Sequence, residues 1–86
     1  MNDIAVPKDI RRIVADLEAA TGVAPTAARE ESGAWRIDIE TSRTQARGTF
    51  KRNSRGKFTM VDTTLTVDGE PYPIPTDPDE YRALFA

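Results

Sequence analysis

Cysteine and histidine are both missing from this 86-residue chain, and their absence removes more chemistry than any residue present supplies. Without cysteine there is no disulfide, no thiolate metal ligand and no thiol nucleophile. Without histidine no ordinary side chain titrates near neutral pH, and a serine nucleophile would need a lysine as its base. Lys8, Lys51 and Lys57, the lysines available for that role, all fall on polar, exposed faces of their segments. No P-loop, G-x-G-x-x-G or H-E-x-x-H pattern occurs. Long apolar runs are absent too, so no membrane-spanning helix and no membrane partner are expected. The opening Met1-Asn2-Asp3 is acidic and leads into no apolar core segment. A secretory signal is therefore not expected, and a cytoplasmic location follows. No enzyme, cofactor or metal centre is expected from this inventory.

What is present suits a small folded domain. Hydrophobic residues make up 38% and charged residues 30%, a globular balance and not a disordered one. A single domain spanning residues 1–86 is expected, with residues 1–5 flexible. A chain of this length buries about 60–65% of its unfolded surface. The net charge of −2 conceals an asymmetry. Between Thr41 and Val61 the charged residues are Arg43, Arg47, Lys51, Arg52, Arg55 and Lys57, with no acid among them. All 14 acidic residues flank that stretch.

Pro7 suits a helix start, and Ile10, Ile13, Val14 and Leu17 then recur at helical spacing, predicting a helix over roughly 7–20. Gly22 and Pro25 stop it. Thr26 to Glu30 is a candidate edge strand turning at Glu31-Ser32-Gly33. Ala34 to Thr41 alternates strictly, predicting a half-buried strand with Trp35, Ile37 and Ile39 inward. A four-residue connection over 42–45 would set Ile39 beside Gly48 and Ile37 beside Phe50. Gly48 would leave room for a bulky neighbour such as Trp35 or a side chain from the first helix.

The stretch from Gln45 to Val67 predicts a long β-hairpin reversing at Asn53-Ser54-Arg55-Gly56, a type I turn closed by a left-handed glycine. That register pairs Arg52 with Phe58 and Phe50 with Met60. Phe50, Phe58 and Met60 then share one face, and Arg47, Thr49, Lys51 and Thr59 the other. Phe58 and Met60 are out of phase with Val61, Leu65 and Val67, which predicts a β-bulge near Val61-Asp62. An inward Asp62 would need a partner, and Arg47 is the candidate. Asp68-Gly69 predicts a two-residue type I′ turn pairing Val67 with Glu70, Leu65 with Tyr72 and Thr63 with Ile74. Tyr72 and Ile74 would then be buried. Pro71 and Pro73 fall at non-hydrogen-bonded positions, which is tolerable on an edge strand. Asp77 and Pro78 open a short closing helix with Tyr81, Leu84 and Phe85 as its apolar stripe.

The expected fold is therefore α+β, an N-terminal helix packed on an antiparallel meander of three to five strands with a short C-terminal helix. Two acidic groupings have ordinary explanations. Asp38 and Glu40 alternate with Arg36 on a solvated strand face, and Asp77, Asp79 and Glu80 fit helix capping better than a cation site. The basic hairpin stands above that background. Arg43, Arg47, Lys51, Arg52, Arg55 and Lys57 form either a solvated face or a binding face. Its partners would be an acidic protein surface, a second copy's acidic flank included, or nucleic acid held through phosphates. No aromatic is interleaved on the polar face and the sequence pI is about 5.0, which favours the protein partner. The expected role is a non-enzymatic interaction or adaptor module, with sequence-nonspecific nucleic-acid binding as the alternative.

Overall fold

The computed structural model describes residues 6–86, so the expectation for residues 1–5 lies outside the described residues. Helix α1 covers Lys8–Thr21, five strands follow, and helix α2 covers Pro78–Leu84. The strands are β1 (Thr26–Arg29), β2 (Trp35–Glu40), β3 (Thr44–Arg52), β4 (Phe58–Val67) and β5 (Glu70–Pro71). They form one antiparallel sheet in chain order, which makes the fold α+β as the periodicities predict. No helix among the described residues is long and apolar enough to cross a membrane.

The apolar stripe of α1 drives its docking. Ile10 is fully buried with Trp35, Ile37 and Phe50, and Ile13, Val14 and Leu17 pack against that cluster. The helix ends at Gly22, whose N–H donates to the Glu18 carbonyl at 2.8 Å. A second cluster joins Ile39, Leu65 and Phe85, with Tyr81 and Leu84 of α2 packed on it. Helix α2 is seven residues long, too short to persist alone, and two contacts fix its ends. Asp77 caps its start by accepting the Asp79 N–H at 2.9 Å, and buried Thr44 donates its hydroxyl to the Leu84 carbonyl.

The β2–β3 connection is tighter than the sequence suggests. The Thr41 N–H donates to the Thr44 carbonyl at 2.8 Å, so only Ser42 and Arg43 form the turn. The Thr41 hydroxyl accepts from the N–H groups of Arg43 and Thr44 at 3.3 and 3.0 Å, replacing two residues of loop. The register consequently moves by two, pairing Trp35 with Phe50, Ile37 with Gly48 and Ile39 with Ala46. A shift of two preserves the facing of every side chain, so the apolar face survives. The space over Gly48 belongs to neither Trp35 nor α1. A Cβ there would meet the Phe50 ring at 3.1 Å and the Met60 sulfur at 3.6 Å.

The phase fault in β4 is repaired as predicted. Phe50 pairs with Met60 and Thr49 with Asp62, leaving Val61 as the extra residue of a bulge. Asp62 is exposed and opposite Thr49, not inward and not bound to Arg47, because the bulge absorbs the phase change before Asp62. The Asp68-Gly69 turn also forms, with φ of 54° and 81°, and pairs Val67 with Glu70 and Thr66 with Pro71. The Tyr72 N–H reaches the Leu65 carbonyl at 2.9 Å, and there the pairing ends. Tyr72 and Ile74 are 43% and 48% exposed instead of buried. Pro71, Pro73 and Pro75 lie where their N–H groups would face away from β4, so no ladder donor is lost; their rings instead hold φ near about −65°, away from strand geometry, and the segment leaves the sheet.

Candidate functional site

The β3–β4 hairpin outgrows the rest of the sheet. Pairing between β2 and β3 ends at Trp35–Phe50, so Lys51, Arg52, Phe58 and Thr59 pair only with each other across the hairpin. The Asn53 side chain organises the reversal by accepting the N–H groups of Arg55 and Lys57 at 2.9 and 3.1 Å. Asn53 N–H donates to the Lys57 carbonyl at 2.8 Å, and Gly56, at φ +78°, donates its N–H to the Asn53 carbonyl at 3.0 Å. A glycine takes that left-handed conformation without the clash a Cβ would bring.

The predicted basic residues divide into two groups. Arg43 sits in the β2–β3 turn and meets Asp68 of the β4–β5 turn through a two-point pair at 3.2 and 3.1 Å. The hydrogen bonds from Arg43 and its charge hold the Asp68 carboxyl below the usual aspartate range. The same contacts raise the Arg43 guanidinium. Arg47 donates to Asp38 at 2.7 Å, directly across the β2–β3 pair, and this bond followed by the Asp38 charge raises its pKa. Asp38 also accepts from Arg36 at 3.1 Å, and Arg36 lies 4.0 Å from Glu30, so Arg47 belongs to a charge-balanced network of two arginines and two carboxylates on the outer sheet face.

The second group occupies the hairpin's distal end. Arg52 donates to the Gly56 carbonyl at 2.8 Å, and its guanidinium lies 4.5 Å from the centre of the Phe58 ring. That contact is a cation–π stack, which fixes the side chain without neutralising it. Lys51, Arg55 and Lys57 are exposed, and among the described residues none of these distal cations has a carboxylate partner within salt-bridge distance.

Sequence reasoning placed all the cations on one hairpin but missed which were already matched. The missed signal was Thr41-Ser42-Arg43-Thr44, whose threonine cap shortens the turn and brings Arg47 opposite Asp38. It also missed an apolar cavity of about 260 Å³ between α1, the inner sheet face and the segment after β5. Leu17, Ile39, Phe50, Met60, Ile74 and Tyr81 are among its walls. Burial there pushes the Tyr81 phenol up. No group of three or more His, Cys, Asp or Glu side chains that could hold a metal ion occurs among the described residues.

No family model, curated protein or solved structure matches the chain.

Proposed function

We propose that the chain is a non-enzymatic, cytoplasmic interaction module that binds an acidic protein surface through the distal end of the β3–β4 hairpin. One observation carries this reading: Lys51, Arg52, Arg55 and Lys57 project beyond the sheet with no carboxylate partner among the described residues, while Arg43 and Arg47 are matched internally. An exposed cation cluster of one sign attracts an opposite charge and raises its encounter rate. The asparagine-organised turn and the Arg52–Phe58 stack limit the ordering cost of presenting those charges.

The test titrates a glutamate-rich peptide, a short DNA duplex and a single strand against the protein at ~50 mM salt, where phosphate contacts are strong. Saturable binding of the peptide at fixed stoichiometry, lost when Lys51, Arg55 and Lys57 are changed to Gln, is expected. Binding of DNA instead, with a log–log salt slope near −0.9 per contact, would replace the acidic protein with nucleic acid. Binding of neither would reduce the hairpin to a solvated face.

A further inference from the structure

β4 carries an open edge. It is ten residues long, yet β5 covers it only at Thr66 and Val67, with Tyr72 adding one bond at Leu65. From Phe58 to Thr64 no strand among the described residues pairs on that side. Backbone groups alternate in direction along an antiparallel strand. Counting back from Leu65, which faces β5, and forward from Lys57, which faces Asn53, the groups of Phe58, Met60 and Thr63 point out of the sheet. The other edges differ: β1 is four residues long and preceded by Pro25, and β5 is blunted by Pro71 and Pro73.

The molecule's stray apolar surface lies along this same edge. Among the described residues the exposed large hydrophobic side chains are Met60 (55%), Val61 (55%), Tyr72 and Ile74, all on β4 or on the segment that follows β5. Met60, Thr63 and Ile74 also line the apolar cavity. At the far end stand Arg55 and Lys57, exposed and without carboxylate partners among the described residues. Backbone donors and acceptors, an apolar pocket for inward side chains and cations at one end are the elements of strand-addition recognition.

We propose that the Phe58–Thr64 edge of β4 binds an extended peptide segment as a sixth strand. The segment's inward residues are apolar and enter the cavity, and its end nearest the hairpin tip is acidic. The acidic preference rests on the reading of the basic tip given above; the strand addition does not. A second copy fits less well. Antiparallel pairing centred on Val61 would set its Lys57 opposite Leu65, a place Tyr72 already takes.

The probe is a short synthetic peptide alternating leucine and glutamate, titrated against the full chain by fluorescence anisotropy and by amide exchange. Binding should slow exchange at Phe58, Met60 and Thr63. Methylating the backbone nitrogens that face β4, or replacing leucine with serine, should each weaken binding about tenfold or more, because each removes one component while leaving the charges intact. The Arg55→Glu, Lys57→Glu double variant should also bind more weakly. Equal affinity for the N-methylated peptide would overturn strand addition yet leave the acid-seeking tip standing. Binding that survives the double variant with the three amides still protected would do the reverse. No binding overturns the inference, and so does a dimer whose Phe58, Met60 and Thr63 amides are protected without peptide.

Discussion

Three side chains show how single contacts decide this fold. Ile10 is fully buried against Trp35, Ile37 and Phe50, so Ile10→Ala removes packing from both the helix and the sheet. Chemical denaturation should show a loss of about 2–5 kcal/mol. Trp35, 5% exposed, should fluoresce at short wavelength in the native state and shift red as that transition proceeds. Thr44 is buried and polar, with its hydroxyl on the last turn of α2. Thr44→Val should cost about 1–3 kcal/mol by leaving the Leu84 carbonyl without this donor, whereas Thr44→Ser should restore much of it. Asp68 tests electrostatics at the surface. Its folded pKa is depressed by the hydrogen bonds and charge of Arg43. Its contribution to stability is therefore present above the ordinary aspartate pKa of about 3.9 and is lost as pH falls through the lower folded value. Both groups are exposed, so the visible effect is on titration and not on stability. Arg43→Gln should return the Asp68 carboxyl to the ordinary range, read by the NMR shift of its carboxyl carbon.

Among the elements, β5 and α2 are the short ones, and they stabilise differently. β5 gives one turn and a few ladder bonds, and its continuation at Tyr72 and Ile74 is exposed. Tyr72→Ala should accordingly cost under about 1 kcal/mol, far less than a buried tyrosine would. α2 is anchored by Phe85, 4% exposed, in contact with the Ile39 and Leu65 cluster and edge-on to Tyr81 at 5.2 Å between ring centres. Phe85→Ala should cost about 3–5 kcal/mol and release α2 first, seen as rapid amide exchange over 79–85 before the sheet opens. The β3–β4 turn stands between these cases. Gly56→Ala forces a side chain into the left-handed region at φ +78°, at a cost of about 1–2 kcal/mol, and should disorder the tip without unfolding the sheet.

Charge is segregated at the scale of the whole molecule, but less simply than its distribution along the chain implies. The network of Glu30, Arg36, Asp38 and Arg47 balances the outer face, and Arg43 with Asp68 ties two turns together at one end of the sheet. The hairpin tip at the other end is left positive. Two substitutions of identical formal charge should therefore behave differently. Lys51→Gln should weaken binding of the glutamate-rich peptide and flatten its salt dependence. Arg47→Gln should leave both nearly unchanged, since its charge is already spent on Asp38. Equal effects would mean that the whole strand face, and not the tip, meets the partner.

The sequence alone determined whatever depends on local period and turn chemistry. Strict alternation put Trp35, Ile37 and Ile39 on one face, Asn53 to Gly56 and Asp68-Gly69 set two reversals, and the parity fault announced the bulge at Val61. These features are legible because each follows from neighbouring residues and the fixed geometry of the backbone. The tertiary structure decided what depends on residues far apart in the chain. A threonine hydroxyl shortened one turn by two residues, which set Arg47 opposite Asp38. The meeting of the Arg43 and Asp68 turns removed another cation from the candidate site. Prolines ended β5 early and left the edge of β4 open beside an apolar cavity. Sequence could place the charges and apolar side chains on faces; only the assembled sheet determined which of them already had partners, because a partner across a strand pair is set by register and not by spacing.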